Sequence, residues 1–388
     1  MEYQRRLQHT KGHNNAHTLL GVERMPGDNQ VRTLLDPLAP SSLDAVFLEV
    51  FAGLEQHRML AHFRRLGDQL LVALDGTTSF ASQAIHCQHC LTRQLRNGHT
   101  LYDPAAITPV IVCPGQAQVI ALPPEYIMPQ DGHDQQDSER AAGKRWLRTH
   151  APQVAPHGIT CLGDDLYSNQ PFCALVLQHQ CNCIFTCQPD SHPTLYERLA
   201  FWQATDAVAT HEGRHCNGRF TEVTLVRYIN DVRLRSGDDA LSVNWFDRTV
   251  VNAKTGEHLY HNSCITNHRL TADNVVNIAQ ASRGRWKIAN ENNNVLKTKG
   301  DHLEHNFGHG TLYLAAFLLS LNLLAFLFHT VLGWSDAKYA LLRQVLARRQ
   351  TFFHDLQAFM RYMVFDSWDH LMAFMIQGLE LDSQSDTG

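Results

Sequence analysis

Two apolar runs far apart in the chain each stop at an aspartate: Leu70-Leu-Val-Ala-Leu-Asp75-Gly-Thr-Thr and Gly158-Ile-Thr-Cys-Leu-Gly-Asp164-Asp165. Leu70 to Leu74 is continuously apolar rather than alternating, which is the pattern of a strand covered on both faces and predicts an α/β fold. Each aspartate also has an ordinary reading. Asp75 before Gly-Thr-Thr suits a turn, and Asp164 or Asp165 suits the cap of a following helix.

A third stretch carries the opposite charge. Arg283-Gly-Arg-Trp-Lys-Ile-Ala-Asn-Glu-Asn-Asn-Asn-Val-Leu-Lys-Thr-Lys-Gly300 reads as a helix that ends at its glycine. Within it Arg283, Arg285, Lys287, Lys297 and Lys299 face one acidic group, Glu291, which also suits an i, i+4 pair with Lys287. A basic strip of this kind fits a phosphate backbone. The formal net charge is only −5, so a nucleic-acid partner rests on such strips and not on the overall balance.

With 388 residues, 44% of them hydrophobic, the chain can bury a large core in more than one structural unit. A polar arm, Gln8 to Asn15, and lead-in helices occupy residues 1–66. Strands follow at 70–74, 108–113 and 117–122, the last two joined by Pro114-Gly115. A polar helix over 134–149 points Trp146 and Leu147 inward. Then come a strand at 159–162, a helix at 169–178 and a strand at 183–187. Strand, strand, strand, helix, strand, helix, strand is the order of the ribonuclease-H-like fold, in which the first and fourth strands lie side by side. Asp75 and Asp164 are therefore expected to meet, in a core that runs from 67 to 205.

A helix near 195–202 leads to a β-rich insertion, 206–267, with β-branched alternation. Residues 268–310 return to the core as a carboxylate-bearing helix that starts at Thr271, and 311–388 are helical with a polar tail from Asp382. The run Tyr313 to Leu332 approaches the ~20 residues that span a bilayer. Ser320, Asn322 and His329 interrupt it, so a core helix is expected. Arg343, Arg348 and Arg349 read as a solvated face rather than a second phosphate-binding strip. Ten cysteines lack a disulfide-scaffold spacing and the opening Met-Glu-Tyr-Gln-Arg-Arg-Leu has no apolar signal core, which together predict a reducing cytosol.

Cys87 and Cys90 have zinc-ligand spacing, with His86 and His89 beside them. No second pair among Cys161, Cys173, Cys181, Cys183 and Cys187 matches it, so loop packing is the favoured reading and a structural Zn2+ the lesser one. His302, His305 and His309 also invite a metal, but they lack a fourth ligand. Glu304 directly precedes His305, which is not the zinc-protease order.

Taken together, Asp75-Gly-Thr, Leu162-Gly-Asp164-Asp165-Leu-Tyr, the β insertion and Arg285-Trp-Lys-Ile before an Asn-rich helix resemble the DDE transposases of bacterial insertion sequences that carry a Y-R-E-K signature. The likeness covers roughly residues 70 to 330, and Arg-Trp-Lys-Ile is its most specific element. It implies a ribonuclease-H-like core that holds two Mg2+ ions, with Mn2+ as a substitute, between two aspartates and a glutamate. It also implies cleavage and strand transfer on double-stranded DNA at terminal inverted repeats, a homodimer in the synaptic complex, no membrane, and a bacterial cytoplasm with the protein on the nucleoid when bound to DNA.

One departure from the pattern matters. The family's glutamate slot holds Ala289, its tyrosine slot Ser282 and its lysine slot Leu296, with Lys297 beside it. Two helical residues are ~200° apart around the axis, so Glu291 replaces Ala289 only through a shift of helix register. The expected catalytic and metal set is thus Asp75, Asp164 and Glu291, with Arg283, Arg285, Lys287, Lys297 and Lys299 on DNA. The alternatives are a DNA-binding relic that no longer cuts and, from the run at 313–332, a helical membrane protein.

Overall fold

Leu70–Ala73 is a strand with all four side chains buried, as its unbroken apolar run predicts. The computed structural model describes residues 14–23, 26–129, 138–306 and 308–381. The predicted arm up to residue 13, the start of the polar helix at 134–137 and the tail 382–388 lie outside them. The chain divides into two compact units, one of Leu43–Thr78 with Pro104–Asn293 and one of Met1–Ser42, Ser79–Asp103 and Asn294–Gly388.

Fourteen strands are named here in chain order among the described residues. They are β1 (Leu70–Ala73), β2 (Gly76–Thr78), β3 (Leu91–Gln94), β4 (Thr100–Asp103), β5 (Ala105–Ile107), β6 (Val110–Val112) and β7 (Ile120–Ala121). The rest are β8 (Glu125–Ile127), β9 (Ile159–Gly163), β10 (Asn182–Thr186), β11 (Ala209–Cys216), β12 (Thr221–Arg233), β13 (Ser242–Asn252) and β14 (His258–Thr266).

In the larger unit nine strands form one mixed sheet in the order β11-β12-β13-β14-β10-β9-β1-β6-β7. β9 runs parallel to both β1 and β10, while β6 is antiparallel to β1. The β-rich stretch after residue 206 extends this sheet, because β14 pairs antiparallel with β10. Helix Glu139–Val154 starts at Ser138, whose side chain accepts from the Ala141 N–H, and buries Ala142, Trp146 and Leu147. Trp146 is fixed there by its ring N–H, which donates to the Pro123 carbonyl at 2.9 Å. Helix Gln170–Gln178 is capped in the same way by Asn169.

The stretch predicted as one helix from 283 to 300 is instead broken, and the helix before it begins at Val275 rather than Thr271. After Ser282 come a 3-10 turn, Arg283–Arg285, and a π turn, Ile288–Asn293. Gly284 lets this segment lie on the sheet, since a Cβ there would come within 3.3 Å of Leu162 and Val112. Asn292 and Asn293 are buried, and their amides form a network with Thr108, whose hydroxyl donates to Asn293 Oδ1 at 3.0 Å. An α turn accommodates one residue fewer, and π turns of this kind cluster at functional sites.

The smaller unit is mainly helical and also holds the β3–β4 hairpin. Its core packs Leu19, Tyr339, Leu342, Phe352, Phe365, Leu371 and Met375 together. Helix Leu314–Ser335 is long and apolar enough to cross a bilayer, yet half of its most apolar stretch is buried in the protein. Two of its polar interruptions have protein partners: Asn322 donates to the Asp301 carbonyl at 2.7 Å, and His329 Nδ1 meets the Tyr339 hydroxyl at 2.7 Å. Arg343 and Arg349 correct the expectation of a solvated face. Arg343 donates to the carbonyls of Leu346 and Ala347, and Arg349 forks onto both oxygens of buried Asp301 at 2.9 and 3.0 Å. Arg348 is the exposed one of the three.

Candidate active site

The parallel register of β1 and β9 sets Ala73 against Leu162, and the Leu74 N–H donates to the Leu162 carbonyl at 2.8 Å. Asp75 and Asp164 each lie two residues beyond that pair, so they leave the sheet at the same level on neighbouring strands, which stand ~4.8 Å apart. Asp164 also caps the short turn Asp165–Tyr167, with Oδ1 accepting from the Leu166 N–H at 2.9 Å. Asp165 serves the fold: its Oδ1 accepts from the Gln188 N–H and the Ser191 hydroxyl, both at 2.7 Å.

A third carboxylate joins the pair, and it comes from a stretch that carried no expectation of a site. Glu139, in the first turn of its helix, accepts at Oε1 from the Gly76 N–H at 3.0 Å and from the Tyr167 hydroxyl at 2.8 Å. Gly76 permits this approach, because a Cβ there would lie 2.5 Å from Glu139 Oε2. The Asp75-Gly pair is therefore more than a turn.

Electrostatics couple the three carboxylates through mutual repulsion. Burial, then the charge of Glu139 and, more weakly, of Asp164 push the Asp75 carboxyl up to about 6, against the opposing pull of Arg285. Burial and the Asp164 charge also raise Glu139, while its bonds from Tyr167 and Gly76 oppose the rise. Glu291 lies half-buried on the π turn. The carboxylates whose charge raises Asp75 are Glu139 and Asp164. That π turn is tied to the site through Thr108, whose N–H donates to the Asp75 carbonyl at 3.1 Å.

Of the expected DNA-contacting cations, three belong to the larger unit. Arg283 is exposed, with its guanidinium 5.2 Å from the Tyr260 ring centre. Arg285 lies 4.6 Å over exposed Trp286, and the Lys287 ammonium donates to the Gln116 carbonyl. Lys297 and Lys299 belong to the smaller unit, where Lys297 pairs with Glu304 at 3.2 Å and Lys299 is exposed. The same unit brings Cys87 and Cys90 together with His309.

Asp75, Asp164 and Glu139 offer hard oxygen donors, the type that suits Mg2+ or Mn2+ better than a soft metal, whereas the donor atoms that lie within 4.8 Å of one another among the described residues are those of Cys87, Cys90 and His309. No protein-family model matches the chain, and no curated protein matches it.

Proposed function

We propose that the larger unit is the metal-dependent DNA-cleaving core of an insertion-sequence transposase, with Asp75, Asp164 and Glu139 as its carboxylates. The observation that carries this reading is the half-buried group of Asp75, Asp164 and Glu139 at the ends of two parallel strands, where partial burial and its acidic neighbours raise Asp75. A divalent cation would relieve that repulsion, and carboxylate oxygens are the donors that Mg2+ prefers. The order of the sheet supports a ribonuclease-H-like core: β1, β6 and β7 form an antiparallel meander, and β9 and β10 continue on the other side of β1, parallel to it.

Asp75, Asp164 and Glu139 would hold the ion, which would supply polarisation of a phosphoryl oxygen and a water of lowered pKa. The chain's own groups do the positioning. The Gly76 N–H and the Tyr167 hydroxyl fix the Glu139 carboxylate. Arg285 sets a positive charge beside Asp75, where a phosphate is drawn in. Exposed Arg283 and Lys299 suit the backbone of double-stranded DNA. This reading carries with it a homodimer on paired element ends and a bacterial cytoplasmic, nucleoid-bound location.

Ala289 favours a second reading, a protein that binds the element's ends without cutting them. Incubating the full chain with DNA that carries its element's inverted repeats, with and without Mg2+, separates the two. Nicking that needs the metal and disappears in Asp75→Asn and Asp164→Asn, with end binding retained, supports the transposase. Binding without nicking supports the relic.

A further inference from the structure

We propose that the smaller unit carries a zinc site formed by Cys87, Cys90 and His309, with His305 as the fourth ligand. Cys87 Sγ lies 3.5 Å from Cys90 Sγ, and Cys90 Sγ lies 3.1 Å from His309 Nε2. All three donor atoms fall within 4.8 Å of one another. A tetrahedral zinc ion, with Zn–S ~2.3 Å and Zn–N ~2.0 Å, sets S···S near ~3.8 Å and S···N near ~3.5 Å. The observed separations are a few tenths of an ångström shorter, and the sulfurs are much farther apart than the ~2.05 Å of a disulfide.

Local structure presents the ligands. The Cys90 N–H donates to the Cys87 carbonyl at 3.2 Å, and the Cys87 N–H points at Cys90 Sγ at 3.4 Å, so the loop folds both sulfurs to one side. The neighbouring imidazoles are used elsewhere: His86 stacks on Tyr102 and His89 on Tyr313, with centroids 4.3 and 4.6 Å apart. His309 is different. It is buried, and its Nδ1 has no hydrogen-bond partner. The ring lies 6.0 Å from the Phe80 ring and its other nitrogen, Nε2, meets the Cys90 sulfur, so Nε2 is the atom turned toward the proposed ion.

His305 precedes His309 by four residues, which with Cys87 and Cys90 gives the C-x2-C, H-x3-H ligand spacing. His305 is exposed and lies outside the three-atom group in this structure, so the proposal requires its side chain to turn in on metal binding. The ion then joins two segments 219 residues apart in sequence, closing a long loop within one unit.

The test is metal analysis of the full chain purified under reducing conditions. One zinc per chain is expected, released when thiols are modified. After exchange, Co2+ should show a sulfur-to-cobalt charge-transfer band and the intense d–d bands of a tetrahedral ion. Cys90→Ser and His309→Ala should lose the metal, and His305→Ala should weaken binding at least tenfold. The cobalt spectrum of the native chain keeps the proposal testable if a variant fails to fold. A chain that stays metal-free with equimolar Zn2+, or a Cys87–Cys90 disulfide in its peptide map, would overturn the site. Unchanged affinity in His305→Ala would overturn the four-ligand form.

Discussion

Glu139 accepts a 3.0 Å hydrogen bond from the backbone N–H of Gly76, the residue directly after Asp75. This bond anchors the first turn of a helix to the end of the central strand and places a third carboxylate where the Asp75 charge feels it. The group therefore consists of Asp75, Asp164 and Glu139, with Ala289 and Glu291 on the neighbouring π turn.

Stability should depend on pH through Asp75. The folded protein keeps its proton up to about pH 6, whereas the unfolded chain releases it near 3.8. Stability thus falls as pH rises between those values, and the loss is complete above about pH 6. Asp75→Asn escapes this loss, so relative to the native chain it should gain up to ~2–3 kcal/mol between pH 3.5 and pH 8 without divalent cations. Asp44, raised to about 7, bends both curves alike and cancels in the difference. Millimolar Mg2+ should stabilise the native chain at pH 8 and leave Asp75→Asn nearly unchanged. Urea titrations at the two pH values decide it, and a constant gap between the proteins would contradict the account.

The π turn should depend on Thr108. Thr108→Val removes the donor to Asn293 Oδ1 and leaves buried amides under-paired. A loss of ~1–3 kcal/mol in urea unfolding is expected. A change within ~0.5 kcal/mol would mean that the network does not hold the turn.

Arg349 should matter for the fold. Arg349→Ala strands Asp301, whose carboxyl burial already raises against the pull of that arginine, and should cost ~3–5 kcal/mol. Adding Asp301→Asn should recover part of the loss. Full stability in the single variant would return Arg349 to the solvated face.

The exposed cations should set the salt dependence of DNA binding. Arg283→Ala and Lys299→Ala should each lower the slope of log K against log salt by ~0.9. Lys297→Ala should change it less, because Glu304 already neutralises that lysine. Equal slopes in all variants would place the DNA elsewhere.

Parts of this arrangement were legible in the sequence. Asp75 and Asp164 each end a largely apolar run, so the strands and the meeting of the two aspartates at their ends could be read there, and the Trp146 helix shows its buried face. Glu139 gave no such sign: it follows Ser138 in a polar stretch, and only the fold carries it to Gly76. The π turn was equally hidden, because Asn292 and Asn293 sit in a stretch that reads as one regular helix, and Thr108, which pairs with them, is far away in sequence. Arg349 looked solvated because its partner, Asp301, lies 48 residues earlier with two helices between them, a pairing that local periodicity does not describe. Cys87 and Cys90 of the proposed zinc set were visible by their spacing, while His309, rather than His86 or His89, was brought to them only by the fold.

The central claim is that Glu139, and not Glu291, completes the carboxylate group. The most direct test measures Mg2+-dependent nicking of inverted-repeat DNA by the native chain, Glu139→Gln and Glu291→Ala, with end binding measured alongside. Glu139→Gln should cut nicking at least a hundredfold, a loss of ~2.7 kcal/mol in transition-state stabilisation, with end binding intact. Glu291→Ala should nick like the native protein. Nicking that survives in Glu139→Gln and vanishes in Glu291→Ala would contradict the account.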